Sequence, residues 1–295
     1  MKYDTRLALE SFKHKPPQAN RKEGGTRFHT SGDIRLRSNG PLVSIITVVY
    51  NGEQHIEKTF ASVLNQKYDN LEYIVIDGAS IDGTLDIIRK YEKQLAYWLS
   101  EPDQGIYDAM NKGIELATGE WINFMNAGDS FYSPDVIASI FADREEKADV
   151  VYGDHHVVYN ANYTKIEKAG EIKDLWKGMT LCHQSLFIRT SLLKSHKFDV
   201  RYKIAADFEV LYSFALSNYV FRNTGLVIAS VAANGLSGIN TFMNVREQWL
   251  VVRRLSNSAF KNAFHIYRMI NRLVKNIIKS MLPEAVVNQI RVKLK

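Results

Sequence analysis

Residues 42–49 are apolar at every position but two, the pattern of a strand buried on both faces of a parallel sheet. Asn51-Gly52 breaks the run, and Ile56, Phe60, Val63 and Leu64 then fall on one helix face. The alternation repeats. A second buried run over 71–76 closes on Asp77-Gly78-Ala79-Ser80, and a helix-period stretch follows at 84–88. A short strand at 97–99, a helix over 106–117 and a strand over 121–125 come next. Strands alternating with helices predict βαβ units: an α/β fold, mainly parallel, with helices on both faces of the sheet. Ligands of such sheets bind beyond the carboxyl ends of the strands, which directs attention to Tyr50-Asn51, Asp77, Asp103 and residues 126–129.

Beyond Asp129 the pattern changes. Residues 150–152, 156–159 and 186–188 predict short strands and 207–216 a helix, an α+β half packed against the first to close a cleft. Residues 1–40, with Pro16-Pro17 and Gly24-Gly25 among scattered charges, read as a flexible polar extension, so order is expected from Pro41. Within 260–282, Arg268, Arg272, Lys275 and Lys279 form a basic stripe. Beside it runs an apolar stripe of Ile266, Ile270, Leu273, Ile277 and Met281, and Pro283 limits the helix. This suits a helix lying in an anionic membrane surface; a helix packed on the domain with a solvated basic face gives the same pattern.

Charge sharpens that choice. The 295 residues carry a net +6, but residues 1–40 contribute +5, residues 245–295 contribute +9, and the middle, 41–244, is −8. A nucleic-acid binder would more often place its basic surface on the folded module, so no nucleic-acid partner is expected. Basic ends on an acidic core suit an anionic membrane surface. No apolar run reaches spanning length, and the first forty residues lack the apolar stretch of a secretory signal. The expected location is the cytoplasm, peripheral on the inner face of its membrane. A single cysteine, Cys182, allows neither an internal disulfide nor a zinc cluster and reads as a small buried hydrophobe.

Three nucleotide or hydrolase signatures are absent: Gly-x-Gly-x-x-Gly, the P-loop and the Gly-x-Ser-x-Gly elbow. The sheet must then use acids at its strand ends, and carboxylates there suit a divalent cation that holds a diphosphate. The residues themselves carry a resemblance. Residues 43–51 followed by 73–84, with Asp77-Gly78-Ala79-Ser80-Ile81-Asp82-Gly83-Thr84, resemble the opening of a family 2 glycosyltransferase with the GT-A fold. Glu101-Pro102-Asp103-Gln104-Gly105-Ile106-Tyr107-Asp108-Ala109-Met110-Asn111-Lys112-Gly113-Ile114 is similar to a segment of a bacterial subgroup that builds capsule, exopolysaccharide and O-antigen chains. Asn126-Ala127-Gly128-Asp129 sits where the family has its Asp-x-Asp-type metal motif. Cys182-His183-Gln184-Ser185 and Ala205-Ala206-Asp207-Phe208-Glu209 match later landmarks, and the likeness runs over about 41–240.

That resemblance implies a GT-A domain over 41–244, with a nucleotide-binding half (41–130) and an acceptor half (131–244), and basic amphipathic C-terminal helices over 245–295. It implies a nucleotide-sugar donor, a saccharide or lipid-linked saccharide acceptor, and transfer with inversion. The base would lie near Val48, Tyr50 and Asp77, with Asn51, Asp103, Asp108, Asn111 and Asn126 extending the donor site. His183 and Gln184 would stand near the diphosphate or the acceptor. Asp129 would ligate Mg²⁺ or Mn²⁺, and Asp207 would be the general base. Two departures stand out: Gly78 replaces a second acid after the second strand, and Asn126 and Gly128 leave Asp129 as the lone acid of the metal motif. Two other readings compete. A nucleotidyltransferase would carry a basic, Gly-rich loop where Asn51-Gly52-Glu53-Gln54-His55 stands, and a non-catalytic sugar-nucleotide-binding or scaffolding subunit would have no need of Asp207.

Overall fold

Successive residues of the central strands feed two different cores, one on each face of the sheet, and this decides the architecture. A computed structural model describes residues 21–28, 40–141, 147–233 and 241–281 of the chain; the side chains of Thr241, Lys275, Asn276 and residues 278–281 lie outside that description. In chain order the elements are β1 (Lys22–Gly24), β2 (Val43–Val49), α1 (Ile56–Leu64), β3 (Leu71–Asp77), α2 (Thr84–Lys90), β4 (Tyr97–Ser100), α3 (Ile106–Leu116) and β5 (Trp121–Phe124). There follow β6 (Ser130–Phe131), α4 (Val136–Phe141), β7 (Val150–Asn160), β8 (Tyr163–Glu167), β9 (Leu186–Arg189), α5 (Thr190–Ser195), α6 (Ala206–Leu216), β10 (Phe221–Ala232), α7 (Thr241–Ser256) and α8 (Ala259–Met281).

The strands form one sheet in the order β1-β4-β3-β2-β5-β9-β7-β10-β6, with β8 paired to β7. Strands β4, β3, β2 and β5 are mutually parallel, as the βαβ pattern requires. On one face Val43, Ile45, Tyr73 and Val75 pack with Phe60 of α1, Ile88 of α2 and Ile137 of α4. On the other, Ile46, Val48, Ile74 and Ile76 pack with Met110 and Ile114 of α3, Phe208 and Leu211 of α6, and Val251 and Val252 of α7. The expected α/β fold with helices on both faces is present.

The second half differs from expectation. It is not a separate layer against the first, because β9 pairs antiparallel with β5 and carries the sheet onward into β7, β10 and β6. The two short strands expected at 150–152 and 156–159 are one continuous strand, β7, whose β-rich sequence pairs with β9 first and β8 further along.

Order also begins before Pro41. Residues 22–24 form β1 on the edge of β4, and the Arg27 guanidinium pairs with Glu72, a carboxylate 2% exposed at the start of β3. Thr118 and Ser44 donate their hydroxyls to the same carboxylate. Burial alone would raise the Glu72 carboxyl; Arg27 and the two hydroxyls outweigh it and hold it below the ordinary range. The remainder of the expected extension, 1–20 and 29–39, lies outside the described residues.

At the other end, α7 is no appendage. Val251 and Val252 are fully buried and Glu247 is 6% exposed. Helix α8 docks through Phe260 and Phe264 on Trp176, and through buried His265, whose Nε2 lies 2.7 Å from the Trp176 carbonyl. Arg268, expected on an outward basic stripe, instead donates to the Lys177 carbonyl. The apolar stripe faces outward, with Ile266 42%, Ile270 55%, Leu273 45% and Ile277 53% exposed, and Tyr267 beside it 64% exposed. Pro283 lies outside the described residues, as do the side chains of Lys275, Lys279 and Met281.

Candidate active site

Beyond the carboxyl ends of β2 and β3, two loops are stitched into one rim. Asn51, at φ +50°, donates its N–H to Ser80 Oγ at 2.7 Å, and its Oδ1 accepts the Ile81 N–H at 3.0 Å. Gly52 N–H reaches Thr84 Oγ1 at 2.9 Å, and Glu53 N–H reaches Asp82 Oδ2 at 3.1 Å. Asp77 is fully buried. Its carboxylate accepts the Ser80 N–H and hydroxyl and the Ser100 hydroxyl, so it shapes the loop rather than facing the cleft.

Position 78 explains a departure from the family pattern. A Cβ on Gly78 would meet Asp103 Oδ2 at 2.5 Å and Tyr50 Cδ2 at 3.4 Å. The Asp103 carboxylate thus occupies the space where a side chain at 78 would sit, beside Tyr50, which is 64% exposed. Partial burial pushes the Asp103 carboxyl up, partly offset by the Gly105 N–H that its Oδ1 accepts at 2.9 Å.

The turn after β5 is a second rim. Asp129 N–H closes it on the Asn126 carbonyl at 3.0 Å, and Gly128 adopts φ +99°, a region that favours glycine over an acid. Thr59 of α1 clamps the turn, accepting the Gly128 N–H at 2.9 Å and donating to the Asp129 carbonyl at 2.7 Å. Asn126 Oδ1 is buried with no hydrogen-bond partner among the described residues. Asp129 Oδ2 accepts Gln184 Nε2 at 2.6 Å, an amide oriented by the Cys182 thiol on its Oε1 at 3.3 Å. Burial pushes the Asp129 carboxyl up to about 6, against the Gln184 hydrogen bond and the Lys58 charge. Burial likewise pushes the Cys182 thiol up to about 12, so it is no nucleophile.

Gln184 and His183 share one 3-10 turn, His183–Ser185, pinned to β5 by Asn123 Nδ2 on the Gln184 and Leu186 carbonyls. One residue of the turn reaches Asp129; the other faces Asp207. His183 stacks on Phe124 with ring centroids 5.3 Å apart, and its Nδ1 lies 3.9 Å from Asp207 Oδ2. Burial lowers its pKa, with Asp207 opposing, so the imidazole is neutral at pH 7. Asp207 opens α6 with 18% of its side chain exposed, and burial raises its carboxyl.

The structure therefore gathers Tyr50, Asn51 and Asp103 on one rim and Asn126, Asp129, Gln184, His183 and Asp207 on the other. It does not bring Val48, Asp108 or Asn111 to the cleft. Val48 is a core residue, 6% exposed, because the pleat turns it toward α3. Asp108 accepts the Gln104 N–H at 3.0 Å as a first-turn acid. Asn111 uses both ends of its amide on the Phe198 backbone, at 2.8 and 2.9 Å. Two supporting residues escaped sequence reasoning. Glu247 of α7 accepts the N–H groups of Lys203, Ile204 and Ala205 at 2.9–3.1 Å and so sets the approach to Asp207. Its one signal is being the sole acid among the basic residues of 245–283. Tyr107, inside a recognised motif, reaches Asp207 Oδ1 at 3.2 Å, which helix periodicity alone assigns to the core.

Comparison with known proteins bears on the family and the fold. A PGL/p-HBAD biosynthesis glycosyltransferase of Mycobacterium bovis is 30% identical over 255 residues, covering 84% of this chain and 97% of the relative. A glycosyltransferase of Mycobacterium tuberculosis is 35% identical over 185 residues, covering 61% of this chain and 71% of its own. Among solved structures, S. aureus TarS 1–349 in complex with UDP superposes with a TM-score of 0.59 at 18% identity, over 82% of this chain and 76% of that one. The mannosyltransferase PcManGT of Pyrobaculum calidifontis, in complex with GDP-Man and Mn²⁺, gives 0.59 at 16% identity, over 98% and 86%. These two share the GT-A fold, and the sequence profile of glycosyl transferase family 2 matches residues 44–206. With the fold, the profile and the relatives in agreement, this chain belongs to glycosyl transferase family 2 and is a glycosyltransferase.

Proposed function

We propose that this enzyme takes a sugar from a nucleoside-diphosphate donor and sets it, with inversion, on a hydroxyl of a lipid-linked saccharide during bacterial surface polysaccharide synthesis. The observation that carries the reading is the His183–Gln184 turn, which sets two acids in register: Asp129 on one side and Asp207 on the other. Tyr50 offers an exposed ring for a base, and Asp103 beside it offers an acceptor for an imide N–H. In the transfer, the acceptor oxygen bonds to the anomeric carbon while the bond from that carbon to the phosphate oxygen breaks. The electron pair leaves with the nucleoside diphosphate, and the acceptor proton passes to Asp207. Help of this kind is worth roughly 10²–10⁴-fold.

The oxygen donors at the second rim fit a hard divalent cation. Asp129 is a partly buried carboxylate whose hydrogen-bond partners, the Gln184 amide and the Ala232 backbone N–H, are neutral, and Asn126 Oδ1 is a buried orphan. These two would hold Mg²⁺ or Mn²⁺, which when bound neutralises charge on the diphosphate. TarS binding UDP and PcManGT binding GDP-Man with Mn²⁺ support donor and cation alike. For the acceptor, the outward apolar face of α8 supports a site at a lipid surface, on the cytoplasmic side of the membrane.

Calorimetric titration of the full chain with UDP, GDP and dTDP, each with Mn²⁺ and with EDTA, tests the reading. One nucleotide is expected to bind in a metal-dependent way, weakened at least tenfold by Asp129→Ala and spared by Asp207→Asn. Absence of binding by all three nucleotides in both conditions would refute it.

A further inference from the structure

Asp207 has two oxygens in different surroundings, and a residue on the opposite element distinguishes them. Tyr107, in the first turn of α3, is buried with its ring 5.5 Å from that of Phe198. Its hydroxyl crosses to the segment before α6, where it donates to the Ile204 carbonyl at 2.6 Å and stands 3.2 Å from Asp207 Oδ1. The same Oδ1 accepts the Phe208 N–H at 2.8 Å. Oδ2 lies on the other side, toward His183.

A phenol has one proton, and here two acceptors compete for it. While Asp207 is ionised, the charge-assisted bond to its carboxylate is the stronger of the two. Once Oδ2 takes a proton, Oδ1 keeps its lone pairs as the carbonyl oxygen of the acid and can still accept from the phenol, as it does from the Phe208 N–H. We infer that Tyr107 is a positioning residue for Asp207: it holds Oδ1 in both protonation states and so assigns Oδ2 as the oxygen that takes the acceptor's proton. This rests on the reading of Asp207 as general base.

The neighbours leave that task to Tyr107. His183 is neutral and too far for a hydrogen bond, and the Glu247 carboxylate of α7 is turned to the backbone of residues 203–205. Among the described residues, Tyr107 is the one side chain that donates a hydrogen bond to Asp207. Its hydroxyl also favours the ionised carboxylate, against the burial that pushes Asp207 up.

Tyr107→Phe in the full chain removes the hydroxyl and keeps the ring. The Asp207 carboxyl is followed by ¹³C resonance titration, assigned with Asp207→Asn. Turnover is read as nucleoside diphosphate released, with water as acceptor, from sugar donors of the nucleotide that calorimetry selects. In Tyr107→Phe the titration midpoint is expected to move to higher pH. The kcat should fall about tenfold with KM for the donor unchanged, and no further loss should follow when the change is added to Asp207→Asn. A 3-fluorotyrosine at 107, a stronger donor of similar shape, should move the midpoint the other way, which keeps the test decisive if Tyr107→Phe folds poorly. An unmoved midpoint in both variants, or an equal loss of turnover with and without Asp207, overturns the assignment. Full turnover in Asp207→Asn is a different result: it removes the general base itself, and with it the role of Tyr107.

Discussion

Folding makes the Asp129 carboxyl a weaker acid, and that has a consequence for stability. Its pKa rises from 3.8 to about 6, chiefly through burial. An acid raised by folding binds its proton more tightly in the native state. The stability it contributes is therefore full below the ordinary value and is lost as the pH rises through about 6. Asp129→Asn keeps the partner Gln184 and abolishes the charge. In the absence of ligand it is expected to be more stable than the parent by about 2–3 kcal/mol at pH 7.5, and about equal to it near pH 4. Urea unfolding at the two pH values measures this; a less stable variant at pH 7.5 would mean that the cleft already compensates the charge. The same residue scale shows what the sequence could reveal. Asp129, Gln184, His183 and Asp207 were legible because each stands in a short motif. The duties of Asp77 and Asn111 were not, because a carboxylate that accepts from Ser100 and an amide that braces Phe198 depend on partners 23 and 87 residues away.

At the scale of elements, the β-α-β run from β2 to β5 was legible throughout, since buried parallel strands and amphipathic helices print different periods on the chain. Strand β1 was not. Three residues with one buried position leave no periodicity, and their place on β4 is fixed by the Arg27–Glu72 pair and by backbone bonds such as Thr26 N–H to the Leu95 carbonyl at 2.9 Å. Breaking a buried pair from one side leaves an uncompensated charge, which costs about 3–5 kcal/mol. Arg27→Ala should therefore destabilise the protein by that amount in chemical denaturation. Lys67→Ala, which breaks an exposed pair with Asp135, should leave stability unchanged. A loss under ~1 kcal/mol for Arg27→Ala would show that Ser44 and Thr118 alone sustain Glu72. A helix was expected within 245–295, but the docking of α7 was not legible for a related reason: its basic composition hides Glu247, the residue that ties it to the approach to Asp207.

Over the whole molecule, charge and apolar surface are divided in a way that the folded domain does not itself use. Among the described residues no helix is long and apolar enough to cross a membrane. Helix α8 nevertheless turns Tyr267, Ile270, Leu273, Val274 and Ile277 outward, and Asp and Glu are absent from residues 248–283, which hold seven Lys and Arg. A second copy of this helix would set like charges together; an anionic lipid surface receives both the apolar face and the basic flanks. Removing the helix outright would uncover Trp176 and take away the buried His265 that bonds its carbonyl, so point changes are the cleaner probe. The full chain should sediment with phosphatidylglycerol-containing vesicles and not with pure phosphatidylcholine, and the bound fraction should fall with added salt as the basic flanks are screened. Ile270→Glu with Ile277→Glu places two charges in the apolar face without touching the docking side. That variant should lose vesicle binding at least tenfold while nucleotide affinity stays as in the parent. Wild-type binding by the double variant would show that the apolar face takes no part, and the lipid-surface location of the acceptor would have to be given up.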